Sequence, residues 1–282
     1  MIITWVIILA NIKIAKKFFR CISTNMQVYN VQNNIYQNRN FKGWQREVTQ
    51  KADSPLKAIL HRNDTWFARD DFLNRAGLDF IVNKFKNVKE VNTYCYGCSD
   101  CAEVWTLLSL LKANYSPKIF EKFRKVLAFD YDPVAVQKAK AYKISIGSME
   151  ERNFYKVSDA PLEASFKVLS SELTNKKLIM PKKELKDKVS ILNKDIRKDY
   201  KRIMPENSLV MARNFMLYLE NQESGSIMSL INKLSEQMQK NSILMVGNHE
   251  IRHGWVYGIS VQDLLIHYGF KPIENQPFMY EK

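Results

Sequence analysis

Apolar residues along this chain occur either in short continuous runs or in longer stretches with helical periodicity. The short runs are typical of buried strands and occur in VNTYCYGC, KVLAFDYDP, KVSILNKDI, NSLVMARNFMLYL and SILMVGNHE. The helical stretches lie between or after them and occur in AEVWTLLSLLKA, VAVQKAKAY, SGSIMSLINKLSEQMQK and SVQDLLIHYGF. This alternation predicts an α/β fold with a mostly parallel sheet and helices on both of its faces.

One of these runs and two further stretches complete the predicted elements. The run NSLVMARNFMLYL is interpreted as a strand that leads into a loop, which places Tyr218 in an apolar strand. The stretch NQPFMYEK predicts a closing strand, and Gly269 before it is a plausible helix C-cap. The segment DDFLNRAGLDFIVNKF predicts a helix with an apolar stripe through Phe72, Leu73, Leu78, Ile81, Val82 and Phe85.

The sequence before this pattern of strands and helices divides the chain into three regions. Residues 1–25 open with the apolar run MIITWVIILA, which is shorter than the ~20 residues of a membrane span. Positive charge follows this run, whereas a secretory signal has it before, so the segment is interpreted as a mis-assigned start or a peripheral helix. Residues 26–60 predict a short helical region. Residues 61–282 predict the α/β domain, with a small, less regular insertion near 142–187.

Composition and charge narrow the class of protein and partner. With 46% apolar and 26% charged residues, the 282-residue chain is typical of a folded protein. Its formal net charge of +14 favours acidic partners, although lysines scattered through nearly every segment are also typical of a biased genome. No arginine-rich tract indicates a nucleic-acid surface, so no nucleic-acid partner is expected. Four cysteines do not make a secreted disulfide framework, which favours a reducing cytoplasm.

Polar residues follow each predicted strand, and in a parallel sheet these ends meet at the edge where ligands bind. They are Gly97–Glu103, Asp130 and Asp132, Asp195, Asn214, and Asn248–Glu250. A glycine turn before a helix, an acid for ribose hydroxyls and an acid for adenine together describe an adenosine site. The chain lacks the G-x-G-x-x-G and Walker lysine motifs. S-adenosylmethionine is therefore favoured over NAD or ATP.

The stretch YCYGCSDCAE raises a separate question, because Cys95, Cys98 and Cys101 echo iron–sulfur spacing. A cluster or a structural zinc normally needs four protein ligands, and the only other cysteine is Cys21. Thiols strung along a strand and the turn after it do not converge easily on one metal. No metal is predicted, and a redox-sensitive pair of Cys98 and Cys101 remains a minor alternative.

Five segments in order resemble the CheR family of chemotaxis-receptor glutamate methyltransferases. They are NDTWFARDDF, YGCSDCAEVWTLLSLL, VLAFDYDPVAVQKAKAY, VMARNFMLYLENQE and MVGNHE. The resemblance runs from about Arg62 to the C-terminus, and the stretch 142–187 is similar to the small β insertion of the family. It implies a class I (Rossmann-like) methyltransferase fold with S-adenosylmethionine as cofactor. It also implies a glutamate-bearing protein substrate, most simply a receptor helix.

The same resemblance implies roles for single residues. Glu103 would bind the methionine amino group, Asp130 the ribose, and Asp195 with Ile196 the adenine, while Arg69 and Tyr218 would be catalytic. The implied cofactor-binding residues are Asn63, Thr65, Arg69, Gly97, Glu103, Asp130, Asp195, Ile196, Asn214 and Phe215. The expected location is the cytoplasm or the inner face of the membrane, with membrane contact indirect or through residues 1–20.

The cofactor turn departs from the family pattern at two positions. Cys101 replaces the turn glycine and Ala102 the first acid, so Cys101 is expected to narrow the pocket or force a different turn. The alternative hypothesis is a degenerate domain that binds S-adenosylmethionine or a partner protein without catalysis.

Overall fold

The computed structural model describes residues 66–69, 74–169, 176–196, 198, 203–222 and 225–282. The predicted regions 1–25 and 26–60 lie outside the described residues, as do Asn63, Thr65, Phe72 and Leu73. The strands in chain order are β1 Asn92–Tyr96, β2 Lys125–Asp130, β3 Ile144–Gly147, β4 Phe166–Leu169, β5 Lys176–Pro181, β6 Val189–Asn193, β7 Leu209–Ala212, β8 Ile243–Val246, β9 Trp255–Val256, β10 Ile259–Ser260, β11 Lys271–Ile273 and β12 Gln276–Glu281.

Seven of these strands form the central sheet in the order β11-β12-β8-β7-β1-β2-β6. The five strands from β8 to β6 pair in parallel, and β12 is antiparallel to both of its neighbours. The parallel strands carry almost continuous apolar sequence, because helices cover both faces of a sheet of this kind. The closing strand predicted in NQPFMYEK is β12.

Helices connect the strands and begin where the sequence provides a cap. The Asn74, Asp132 and Ser260 side chains each accept a hydrogen bond from a backbone N–H in the first turn of the helix that follows. The helices are α1 Arg75–Lys84, α2 Ala102–Asn114, α3 Pro117–Phe120, α4 Pro133–Lys140, α5 Ser148–Val157, α6 Lys183–Lys186, α7 Met216–Gln222, α8 Ser226–Gln237, α9 Asn248–His253 and α10 Val261–His267.

Two apolar cores lie on opposite faces of the sheet, because successive side chains of a strand point to opposite faces. Along β1, Tyr94 and Tyr96 belong to one core, whereas Cys95 between them belongs to the other. The Cys95 core includes Leu107 and Leu111 of α2, and the opposite core includes the apolar stripe of α8. The sheet is therefore covered on both faces, as the alternation of strands and helices predicts.

The less regular stretch near 142–187 contains a second, small sheet. Strands β3, β5 and β4 pair antiparallel in that order, and α5 follows β3 directly. Helix α5 packs against α2 of the main domain. The predicted fold class, an α/β domain with a mostly parallel sheet and a small β insertion, is confirmed.

One local prediction is wrong. The run NSLVMARNFMLYL is not a strand leading into a loop, since β7 ends at Ala212 and α7 begins at Met216. Asn214 adopts a left-handed φ of 56°, which ends the strand. Met216 and Leu219, three residues apart, are buried in the core below α7. Tyr218 therefore lies on a helix, where its side chain is 41% exposed.

Within the described part of the chain, no helix combines the length and apolar character needed to cross a membrane.

Candidate active site

The ends of the parallel strands bring the predicted polar residues to one edge. Strand pairing sets Tyr96 opposite Phe129 and Ala212, and sets Ala212 opposite Val246. The residues that follow these positions, among them Gly97, Asp130 and Gly247, therefore lie along the carboxyl edge of the sheet. This is the edge at which open α/β sheets bind ligands.

Gly97 directly follows β1, at a position that requires a left-handed backbone and leaves no room for a β-carbon. Its φ is 63°, a left-handed value that residues with a side chain seldom adopt. A β-carbon at this position would lie 2.6 Å from Cγ of Phe215. The turn after β1 therefore brings the backbone of Gly97 directly against the Phe215 side chain.

The turn continues to α2 through two more left-handed residues, Ser99 with φ 48° and Cys101 with φ 65°. Backbone bonds close it, because the Cys101 N–H donates to the Cys98 carbonyl at 2.7 Å and the Cys98 N–H to the Phe129 carbonyl at 3.0 Å. Cys101 thus occupies a conformation that favours glycine, while its side chain is fully buried in the core. Its thiol lies in the core below the turn, and the expectation that Cys101 narrows the pocket gains no support.

Asp130, at the end of β2, forms hydrogen bonds that connect it to the turn after β1. Its Oδ2 accepts the Ser99 N–H at 2.8 Å and its Oδ1 accepts the Asp132 N–H at 2.9 Å. Burial raises the pKa of the Asp130 carboxyl, and these N–H groups oppose the shift by stabilising the charged form. A carboxylate has about four acceptor sites, so Asp130 retains capacity for hydroxyl donors from a ligand.

Glu103, in the first turn of α2, forms a buried ion pair with Arg213 at the end of β7. Arg213 Nη1 lies 3.3 Å from Glu103 Oε1, and the two side chains are 1% and 7% exposed. Removing either partner would take this ion pair away from the charge that stays in the interior, which is destabilising. Arg213 was not among the residues predicted for the site.

Arg69 belongs to a short segment that α2 and α5 hold in place. The Ala68 N–H donates to Thr106 Oγ1 at 2.9 Å, and the Phe67 N–H donates to Glu150 Oε1 at 3.1 Å. The Arg69 guanidinium carbon lies 5.5 Å from the centre of the Trp66 ring. Arg69 also lines a cavity of about 220 Å³ between this segment, the start of α1, α2 and α5.

Asn214 and Phe215 lie between β7 and α7. Asn214 Nδ2 is buried and finds no hydrogen-bond partner among the described residues. It is thus a buried donor at the strand edge that a ligand oxygen could satisfy. Phe215 is half-buried against the core that contains Tyr96, and Tyr218 on α7 is the exposed member among those predicted residues that the structure describes.

Asp195 and Ile196 follow β6, next to the end of β2. Both are half-buried, and Ile196 packs against the core on the Tyr96 side of the sheet. The Lys194 N–H donates to the Asp130 carbonyl at 2.9 Å, which brings this segment beside Asp130. The structure therefore gathers residues from β1, β2, β6 and β7 at one edge, while Asn63 and Thr65 lie outside the described residues.

The three clustered thiols are free and buried. Burial is the largest cause that raises the pKa of Cys95, and Cys98 and Cys101 share a thiol–thiol hydrogen bond that raises the pKa of Cys98. Raised thiol pKa values disfavour the reactive thiolate. Among the described residues, no group of three or more His, Cys, Asp or Glu side chains could hold a metal ion.

Sequence reasoning missed two residues of this region, Thr106 and Arg213, and placed Glu250 at the strand edge without a role. Glu250 is fully buried, and its Oε1 accepts the Met216 N–H at 3.2 Å. Burial raises the pKa of the Glu250 carboxyl, while backbone N–H groups and the nearby Arg213 oppose the shift. A charged residue directly after the apolar strand β7 was the available signal for Arg213.

Comparison with known protein families identifies the family of the chain. The family described as CheR methyltransferase, SAM binding domain, matches residues 63–253. The search among curated proteins found no significant match.

Solved structures that resemble the chain include N-methyltransferase NodS from Bradyrhizobium japonicum WM9, at 13% identity and a TM-score of 0.38, covering 73% of this chain and 92% of that one. A TehB-like SAM-dependent methyltransferase from Corynebacterium glutamicum ATCC 13032 Kitasato matches at 10% identity and a TM-score of 0.37, covering 71% of this chain and 84% of that one. Because the family match spans most of the described residues, the chain belongs to the CheR methyltransferase family and contains its S-adenosylmethionine-binding domain.

Proposed function

We propose that this methyltransferase transfers the methyl group of S-adenosylmethionine to glutamate side chains of a protein, with a chemoreceptor helix as the favoured acceptor. The observation that carries the proposal is the pair of hydrogen bonds through Thr106. Thr106 Oγ1 accepts the Ala68 N–H and donates to the Ala102 carbonyl at 2.8 Å. These bonds fasten the segment that carries Arg69 to the helix turn that carries Glu103.

The residues at the strand edge suit the cofactor. Asp130 is assigned to the ribose hydroxyls, Glu103 to the methionine ammonium group, and Asp195 with Ile196 to the adenine. Gly97 permits the close approach of neighbouring groups that a β-carbon would block, and Asn214 supplies a buried amide donor. Asn63, Thr65, Arg69 and Phe215 complete the proposed binding set.

The chemistry requires orientation more than proton transfer. When bound, S-adenosylmethionine supplies an electrophilic methyl group. A glutamate acceptor is already ionised at neutral pH, since its ordinary pKa is about 4.3, so no strong general base is needed. Arg69 can hold the acceptor carboxylate, because a guanidinium matches carboxylate geometry. The Tyr218 hydroxyl, on an exposed side chain, can donate to the second carboxylate oxygen. Positioning of this kind supplies most of the acceleration.

The expected setting is a reducing cytoplasm, with the acceptor helix near the inner face of the membrane. The buried free thiols are compatible with that compartment. A protein acceptor also suits the positive formal charge of +14, because glutamate-rich surfaces are acidic.

Labelling a lysate with S-adenosylmethionine that carries a radioactive methyl group tests the proposal. We expect protein label that base releases as methanol, because carboxyl methyl esters hydrolyse in alkali and N-methyl groups do not. We also expect Arg69→Lys and Tyr218→Phe to lower the rate of labelling. Label that survives alkali would exclude the glutamate acceptor. Binding of S-adenosylhomocysteine without any transfer would support the alternative of a degenerate, non-catalytic domain.

A further inference from the structure

Glu250 is a buried acid that the proposed mechanism leaves without a role. It is the third residue of α9, and its side chain is completely shielded from solvent. A buried carboxylate is costly unless hydrogen bonds compensate it. Such a group needs an explanation beyond the packing of an apolar core.

The contacts of Glu250 reach across to the next strand end. Its Oε1 accepts the N–H of Met216, the first residue of α7. The backbone N–H groups of Asn214 and of Glu250 itself also favour the charged form and so oppose the rise in the pKa of the carboxyl, while Glu250 Oε2 has no hydrogen-bond partner among the described residues. The side chain therefore caps α7 from a different element, which is the position that suits an acid near a helix N-terminus.

Gly247 shows how closely Glu250 and Asn214 approach each other. A β-carbon on Gly247 would lie 2.2 Å from Glu250 Oε2 and 2.3 Å from Asn214 Oδ1. The φ of Gly247 is −79°, so the residue is glycine for space and not for backbone conformation. The two side-chain oxygen atoms thus occupy the volume in which the β-carbon of any other residue would lie.

Asn214 is the residue that this arrangement fixes. Its backbone is left-handed, with φ 56°, and its Nδ2 is a buried donor without a partner among the described residues. The adjoining residues are Arg213, which pairs with Glu103, and Phe215, which lies over Gly97. A shift of the segment between β7 and α7 would therefore move Arg213, Asn214 and Phe215 of the cofactor site together.

We propose that Glu250 is a positioning residue, which holds Asn214 and the start of α7 in the conformation that binds the cofactor. The inference rests on the assignment of Asn214 to the cofactor site in the proposed function. It does not depend on which acceptor is methylated.

The test is a double-mutant cycle on S-adenosylhomocysteine binding, measured by isothermal titration calorimetry with the purified full chain. We expect Glu250→Gln to weaken binding about tenfold, because small misplacements of site groups have large effects. In an Asn214→Ala background the same change should have little further effect, since coupled residues are not additive. Additive losses in the cycle would overturn the proposal.

Glu220→Gln is the matched control. Glu220 caps α8 by accepting the Gly225 N–H at 2.7 Å and the Ile227 N–H at 3.0 Å, and it has no assigned role in the site. We expect this change to lower thermal stability and leave S-adenosylhomocysteine affinity unchanged. Equal effects of Glu220→Gln and Glu250→Gln on affinity would show that Glu250 is only a structural cap.

Gly247→Ala provides a second variant if Glu250→Gln fails to fold. The added methyl group should displace the Glu250 and Asn214 oxygens and weaken S-adenosylhomocysteine binding, and unchanged affinity would contradict the proposal. A failure of the glutamate acceptor would appear as missing alkali-labile label, and a failure of the role of Glu250 as unchanged or additive binding affinities.

Discussion

At the residue scale, two glycines that share a backbone conformation differ in their surroundings. Gly97 and Gly269 have φ values of 63° and 83°. A β-carbon on Gly97 would clash with Phe215 at 2.6 Å, whereas one on Gly269 would meet only Lys282 Nζ at 3.7 Å. Alanine substitutions at these two glycines therefore separate the free-energy cost of a left-handed backbone from the cost of a steric clash.

Gly97→Ala should lower the free energy of unfolding by about 3 kcal/mol, because left-handed strain and overpacking add. Gly269→Ala should cost about 1–2 kcal/mol from the strain alone. Urea denaturation of both variants measures the difference. Equal losses would mean that Phe215 moves away freely and that the contact with Gly97 has no energetic weight.

The raised pKa of Asp130 predicts how cofactor binding depends on pH. As the pH falls through the raised pKa of the folded state, the carboxylate takes up a proton and loses capacity to accept ribose hydroxyls. Affinity for S-adenosylhomocysteine should therefore decline at a pH above the ordinary aspartate value of about 3.9. The folded state binds this proton more tightly than the unfolded state, so the contribution of Asp130 to stability rises as pH falls in the same window. Protonation of Asp130 therefore does not itself destabilise the folded state in this window.

Two variants check the assignment. Asp130→Asn should bind weakly and should lose this pH dependence. Asp132→Asn should keep its helix cap and move the midpoint to lower pH, since the charge of Asp132 is one of the causes that raise the pKa of Asp130. An unchanged titration in Asp130→Asn would assign the pH dependence to another group.

At the scale of elements, α2 organises the site because it carries Glu103 at its start and holds the Arg69 segment through Thr106. Its residues from Ala102 to Leu111 are buried on all sides. The sequence predicts the buried helix but not the contact of Thr106, which joins it to a residue 38 positions earlier. The only sequence signal for this contact was the presence of hydroxyl side chains on a helix that is mostly apolar.

Thr106→Val should destabilise the protein by about 1–3 kcal/mol, because it leaves the buried Ala68 N–H without its partner. Methyl transfer should fall as well, since Arg69 is no longer held in place. Ser109→Ala is the control on the same helix. Ser109 Oγ donates to the Thr106 carbonyl at 3.0 Å. Removing this hydroxyl leaves no backbone N–H group without a partner, so methyl transfer should be unchanged. Unfolding curves and transfer rates of the two variants decide whether the hydrogen bond to Ala68 positions Arg69.

At the scale of the whole molecule, two cores share one sheet, and the candidate site is formed by the ends of its strands. Tyr94 and Cys95 are adjacent in sequence and belong to different cores. Neither core can unfold without disrupting strands that the other core needs. The binding edge should therefore exist only in the fully folded chain.

S-adenosylhomocysteine at about one hundred times its dissociation constant should stabilise the fold by about 2.7 kcal/mol. Circular dichroism and tryptophan fluorescence should report one shared transition that moves by the same amount. NAD or ATP at equal concentration should leave the transition unchanged. If S-adenosylhomocysteine shifts only one of the two signals, the two cores are independent units.

The main succession of strands and helices could be predicted from the sequence, and with it the sheet whose carboxyl edge carries Gly97, Asp130 and Asn214. These features are local, because apolar periodicity and strand-end polarity are set within a few neighbouring residues. The sequence did not determine that Tyr218 lies on a helix, since the short stripe of α7 has the composition of a strand.

Which side chains meet depends on the packing of the folded chain and could not be predicted from the sequence. Glu103 pairs with Arg213 across 110 positions, and Glu250 caps Met216 across 34. The same packing also decided that Cys101 keeps a left-handed turn with its thiol in the core. Contacts of this kind depend on how separate elements pack, because the energy of a buried charge or thiol is set by neighbours that are distant in sequence.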